Sequence, residues 1–278
     1  MNTKSIFLFI YLFIFICSFS SLKAQKNKLP TTREMNYISW LEFQEIVPDK
    51  IETVLLPVGS IEAHGVIPNG TDNIAPEAMA KAVATRLNAL IAPTLNFGIT
   101  ESLKAYPGAI SVTKNSYCPF VKDILIGLAA NKFKNIIILN GHGGNTDALF
   151  NMADEVSGSQ KVRILVINWW SLVPEITQEV FGNKGGHAGE NETAYIQAIV
   201  PQHIHPERYS DDLAIANPQG KSWKATPTPS SIGLYEEGKG FPTFKKDQAD
   251  EYFEKVNNKV AELIKEIIKK WDKAKLYR

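Results

Sequence analysis

Cysteine is nearly absent from this chain: among 278 residues there are two, Cys17 and Cys118. Cys17 belongs to an almost uninterrupted apolar run, residues 6–19, that follows Lys4 and leads into Ser20-Ser21-Leu22-Lys23-Ala24. The run is short for a membrane span and is flanked like a secretory signal, so residues 1–24 read as a signal peptide, an uncleaved anchor being the rival. The chain is then expected to be exported, periplasmic or secreted, with no membrane association after cleavage. A mature chain holding Cys118 alone cannot close an internal disulfide, and cysteine-rich structural zinc is excluded as well. An excess of charge is also missing. Removing residues 1–24 takes away Lys4 and Lys23 and no acid, leaving 28 basic against 29 acidic residues and a formal net charge of −1. Nothing there points to nucleic acid. No internal repeat and no second boundary is visible, so residues 25–278 read as one domain, long enough to be held by its core.

What is present is a strand–turn–helix pattern repeated along the chain. Its clearest instance is residues 135–156, where an isoleucine-rich run stops at Asn140-Gly141-His142-Gly143-Gly144-Asn145. Leu149, Met152, Ala153 and Val156 then recur at helical spacing, so a helix starts at Asn145 or Thr146. In open α/β sheets chemistry gathers at the carboxyl ends of strands, which makes His142 a candidate metal ligand or base. A loop histidine bonded to backbone is the plainer alternative.

The same arrangement appears earlier. A strand at 52–60 runs into Ile61-Glu62-Ala63-His64-Gly65, and a helix is expected from about Ile74, with Pro76 in its first turn. Residues two apart in an extended segment project to one side, so Glu62 and His64 share a space just past the strand end. Asp72 returns to that neighbourhood at the head of the helix. Alone it would be an N-cap, the commonest role of aspartate there. Further strands are expected at 90–95, 109–113 and 162–168, with helices at 117–131 and near 174–180. A second glycine-rich turn, residues 182–189, carries His187 and precedes Glu190 and Glu192, which open a helix ending near Val200. His203 and His205 lack acidic or glycine-turn support and are set aside. Residues 211–244 read as a long loop, and residues 246–270 as an amphipathic helix covering the sheet.

Glu62, His64, Asp72, His142 and one of Glu190 and Glu192 form a set of imidazoles and carboxylates suited to zinc, manganese or iron. Five ligands exceed the need of one catalytic ion with open positions. Two ions about 3.5–4 Å apart, sharing an acidified water, are the expectation. Tyr106, Trp169 and Trp170, with Trp223, are candidates for the substrate wall. At the end of an extended strand the two adjacent tryptophans would face opposite ways, one stacking on a flat substrate and the other filling the core, with core packing of both as the alternative.

The stretches PVGSIEAHG, NGTDNIAPEAMA, YPGAIS, NGHGGN and HAGENET, in that order within residues 54–194, resemble the creatininase (creatinine amidohydrolase) family. The resemblance implies a three-layer α/β/α sandwich with a mainly parallel sheet, two divalent ions, and a homo-oligomer, often hexameric. By resemblance Glu62, His64, Asp72 and His142 match metal ligands, Asp72 bridging, and His187 matches the catalytic histidine. True creatininases resemble NGHYEN at the His142 turn, whereas this chain has Gly144 in place of that glutamate. The fifth ligand is then expected to be Glu192, matching the family's HAGxxET, with Glu190 second. The region after Ser231 reads GLYEEGKGFPTF and lacks the family's Gly-Asp-Pro run. The expected activity is hydrolysis of a C–N bond in a small cyclic or linear amide. Alternatives are a deformylase-like relative, a periplasmic ligand-binding relative without turnover, and a structural oligomer with a vestigial metal.

Overall fold

The structure is a computed structural model that describes residues 29–182, 185–209, 227 and 245–277. The expected signal peptide, Trp223 and the sequence GLYEEGKGFPTF lie outside the described residues, as does the expected loop 211–244 apart from residue 227.

Four parallel strands, β1 (Thr53–Val58), β2 (Ala89–Ile91), β3 (Asn135–Asn140) and β4 (Arg163–Asn168), lie in the order β2-β1-β3-β4. Every residue of β1 and β3 is buried, as a parallel sheet covered on both faces requires. Alternate side chains feed two cores. Leu55, Ile137, Leu139 and Ile167 pack with Met79 and Val83 of α2 (Thr71–Val83) and with Val256, Val260 and Ile264 near the C terminus. Val54, Leu56, Val58, Ile136 and Ile138 pack on the other face with Ile46 of α1 (Trp40–Ile46), with Val121 and Leu125 of α3 (Lys114–Ala130), and with Leu149 and Val156 of α4 (Thr146–Gln160). Helices on both faces of one sheet make the expected α/β/α sandwich.

The order of strands places the chemistry. From β1 the chain moves by α2 to one neighbour, β2, and returns by α3 to the other, β3. The direction of winding therefore reverses between β1 and β3, and the carboxyl ends of these two strands flank the crevice where such folds bind ligands.

Three local expectations change. The helix expected from Ile74 begins at Thr71, so Asp72 sits in its first turn rather than capping it, and Pro76 is its sixth residue. The strand expected at 90–95 closes at Ile91, because Pro93 has no N–H to donate to a ladder. No strand forms at 109–113. That segment makes one antiparallel bridge, Ile110 to Ile61, and its Val112 N–H goes to the Gly98 carbonyl at 2.8 Å.

After β4 the chain enters α5 (Trp169–Leu172), α6 (Pro174–Phe181) and α7 (Glu190–Ile199), and the described C-terminal segment is α8 (Lys246–Lys273). The face of α8 carrying Tyr252, Val256, Val260 and Ile264 is buried, each aliphatic contributing about 1.5–3 kcal/mol. Two polar contacts set its register. Tyr195 Oη donates to Asn257 Oδ1 at 2.9 Å, and the Thr177 and Tyr252 hydroxyls are 2.8 Å apart.

Candidate metal centre

Past the ends of β1 and β3 the chain carries Gly59 and Gly141, and both are needed without a side chain. A Cβ at Gly59 would lie 2.2 Å from the Asp72 carbonyl oxygen, and one at Gly141 would lie 2.0 Å from it. The head of α2 is thus pressed between two strand ends, and the Asp72 carboxylate enters the crevice they form.

Each histidine is oriented by a carbonyl. Because a carbonyl only accepts, His64 donates Nδ1–H to Glu62 O at 3.1 Å and turns Nε2 inward. His142 donates Nε2–H to Ile99 O at 2.9 Å and turns Nδ1 inward. Asn140 braces the turn, accepting from His142 N at 3.1 Å and donating to its carbonyl at 2.8 Å. The inward nitrogens meet different oxygens of one carboxylate. His64 Nε2 lies 3.1 Å from Asp72 Oδ1, and His142 Nδ1 lies 2.9 Å from Asp72 Oδ2. Glu62 Oε1 is 3.3 Å from His142 Nδ1, and Glu192 Oε2 is 3.7 Å from His64 Nε2.

Glu192 is the third residue of α7 and its Oε2 accepts the Ala188 N–H at 2.7 Å, where the helix N-terminus favours its charge. His187 donates Nε2–H to Ala63 O at 2.7 Å, which leaves Nδ1 3.6 Å from Glu62 Oε1. Its ring lies 4.3 Å from that of His64. Glu62, His64, Asp72, His142 and Glu192 are all buried.

Protonation follows from this crowding. Burial opposes the charged form of His64, but Asp72, with Glu192 and Glu62 behind it, outweighs burial and lifts the ring to about 10. Burial likewise opposes the charge of His142, and Asp72 and Glu62 raise it to about 10. Burial works against the Asp72 and Glu62 carboxylates, yet the two imidazoles hold Asp72 well below its usual range, and His142 brings Glu62 below its own. Burial pushes Glu192 up to about 7 against the pull of His64. Burial, then the charge on His64, lowers His187 to about 4, so its imidazole is neutral at pH 7.

The donor set fits divalent ions. Glu62, Asp72 and His142 form one group of converging ligand atoms, and His64, Asp72 and Glu192 form another, with Asp72 common to both. A third group, Glu62, His64 and His187, overlaps them. His64 Nε2 and Asp72 Oδ2 are buried without a properly aligned hydrogen bond, although nitrogen and oxygen approach closely. Ligand atoms about 2.0–2.2 Å from one tetrahedral ion are about 3.3–3.6 Å apart, close to the separations found here. Glu190, half-buried at the start of α7, belongs to none of these groups.

Of the two tryptophans expected at the substrate wall, one goes to the core. Trp169 opens a helix instead of extending β4, is 1% exposed, and packs 5.0 Å from the Tyr195 ring in the core. Trp170 stands at the His142 turn, its Cζ2 3.8 Å from where a Cβ on Gly143 would be. Tyr106 is half-buried in a turn whose 109–110 end joins Ile61 beside Glu62. Sequence reasoning missed Thr100, whose buried hydroxyl donates to Glu62 Oε2, and the bracing role of Asn140. The paired asparagines of NGHGGN were a signal for the second; the aperiodic stretch around Thr100 offered none.

The family model described as creatinine amidohydrolase matches residues 36–264. A creatinine amidohydrolase of Pseudomonas putida is 27% identical over 193 residues, 63% of this chain and 74% of that protein. A mycofactocin precursor peptide peptidase of Mycobacterium ulcerans is 27% identical over 179 residues, 59% of this chain and 65% of that protein. The solved structure named creatininase Mn superposes with a TM-score of 0.73 at 22% identity, covering 85% of this chain and 98% of its own.

Proposed function

The chain belongs to the creatininase family of amidohydrolases, and from that premise we propose that it hydrolyses the C–N bond of a small cyclic or linear amide at a dinuclear metal site. One observation carries the reading: Asp72 turns its two oxygens to two imidazoles, each of which belongs to a separate ligand group. Glu62, Asp72 and His142 would hold one ion, and His64, Asp72 and Glu192 the other, zinc, manganese or iron being suited to these donors. Two such ions, when bound, supply an acidified water and an electrophile for the amide oxygen.

The chain's own groups supply orientation and proton transfer. Ile99 and Glu62 carbonyls hold the His142 and His64 tautomers, so no rotation is needed to present the inward nitrogens. His187 commits its Nε2–H to Ala63 O and so keeps the lone pair of Nδ1 beside Glu62. That atom takes the proton of the attacking water and returns it to the leaving nitrogen.

A linear substrate, such as the end of a peptide, is a second reading, favoured by equal 27% identity to the amidohydrolase and to the peptidase. Supporting an exported enzyme are Lys4, the apolar run and Ala24; the domain is residues 25–278 and acts in the periplasm or outside the cell as a homo-oligomer.

Metal analysis of purified protein, with amine release from cyclic amides, formylamino compounds and short peptides, tests the proposal. Two equivalents of metal per chain and chelator-sensitive turnover are expected. One equivalent or none after reconstitution, or no hydrolysis across the panel, would overturn it.

A further inference from the structure

We propose that Thr100 is a positioning residue for one of the two metal positions, that bounded by Glu62, Asp72 and His142. The proposal rests on the dinuclear reading above. Thr100 is 1% exposed and has a single hydroxyl proton, which it donates to Glu62 Oε2. That bond occupies one carboxylate oxygen and leaves the other, Oε1, 3.3 Å from His142 Nδ1. The preceding residue performs the matching task for the histidine, since the Ile99 carbonyl accepts His142 Nε2–H at 2.9 Å. Two consecutive residues of one backbone segment therefore orient two ligands that arrive from β1 and β3. Hydrogen-bonded partners of this kind fix ring and carboxylate orientation and tune metal affinity.

The segment is itself held in place. Ile99 N donates to Asn145 Oδ1 at 2.9 Å, and Asn145 Nδ2 donates to Gly59 O at 3.0 Å. Thr100 N donates to Ser111 Oγ at 3.0 Å, and Gly98 O accepts from Val112 N at 2.8 Å. Gly144 lets it approach the His142 turn, because a Cβ there would lie 1.9 Å from Ile99 O and 2.5 Å from His142 Nε2. At the position where the family resembles a glutamate, this chain instead seats the carbonyl that aligns His142.

The other metal position is held by different partners. His64 is oriented by Glu62 O, and Glu192 by Ala188 N. Loss of the Thr100 hydroxyl should consequently be felt at one position only.

Equilibrium dialysis of the metal-free protein against zinc or manganese, with a chromophoric chelator as competitor, reads the two positions separately and needs no substrate. Wild type is expected to bind two equivalents. Thr100→Val keeps the side-chain shape and should retain one tight equivalent while the second weakens about 10–100-fold. Thr100→Ser should restore it, which a packing role for the methyl group would not predict. Gly144→Ala should reproduce the one-sided loss by displacing Ile99. Unchanged affinity for both equivalents in Thr100→Val, equal loss of both, or failure of Thr100→Ser to restore binding would overturn the proposal. A wild-type chain that binds fewer than two equivalents would instead sink the dinuclear reading, and this proposal with it.

Discussion

The backbone carbonyl of Asp72 occupies the space a Cβ at Gly141 would need, 2.0 Å from it. No side-chain rotation relieves that contact, because the obstacle is backbone held in the first turn of α2. Gly141→Ala should therefore destabilise the fold by about 1–3 kcal/mol and withdraw Asp72 from both histidines. Chemical denaturation and metal dialysis would show lower stability together with weakened binding of both equivalents. Wild-type stability and metal content in this variant would refute the close approach.

The metal-free protein should lose stability as pH rises. His64 and His142 have folded pKa values of about 10, above the ordinary imidazole value of about 6.5. Their contribution is full below about pH 6.5 and disappears as pH passes through about 10. Metal must displace these protons, so zinc uptake at pH 7 should release protons into a weakly buffered solution, and affinity should climb across the same range. Denaturation of the apo chain at pH 7 and pH 9.5 checks the first part. Equal or greater stability at the higher pH would contradict it.

Glu192 and Glu190 should separate cleanly. Glu192 Oε2 stands 3.7 Å from His64 Nε2, whereas Glu190 lies in none of the ligand groups. Glu192→Gln should lose the equivalent shared with His64 while the Glu62–His142 equivalent persists, and Glu190→Gln should retain both. The reverse pattern in elemental analysis would transfer the fifth-ligand role to Glu190.

For His187 the discriminating comparison is turnover against metal content. His187→Ala should bind two equivalents and lower kcat by about 10²–10⁴-fold, the usual share of a proton-transferring group. Loss of an equivalent in this variant would make His187 a ligand, a role its place beside Glu62 and His64 also permits.

Much of this arrangement was legible in the residues because strand ends, glycines and ionisable groups coincide. β1 and β3 announce themselves as short apolar runs stopped by glycine, and each delivers a histidine beyond its end. Trp169 was harder to place, because an adjacent tryptophan pair has the same pattern in a strand as in the first turn of a helix. Its stacking on Tyr195 depends on α7, far along the chain. Pro76 resembles a first-turn proline and so points to a start of α2 near Ile74, while the tertiary squeeze between Gly59 and Gly141 decides where Asp72 lies. Thr100 was invisible for a related reason. Its meaning comes from one partner, Glu62, 38 positions away.

The packing of α8 on α7 has a thermodynamic corollary. Glu192 enters the crevice from the first turn of α7, and Tyr195 in the same helix is fastened to Asn257 of α8. A ligand held by Glu192 favours the docked arrangement over any in which α8 has lifted away, by about 2.7 kcal/mol at a hundredfold excess over its dissociation constant. The last 28-residue helix is thus a remote reporter of occupancy. Protease cutting near its start should slow as metal is added, with no substrate present.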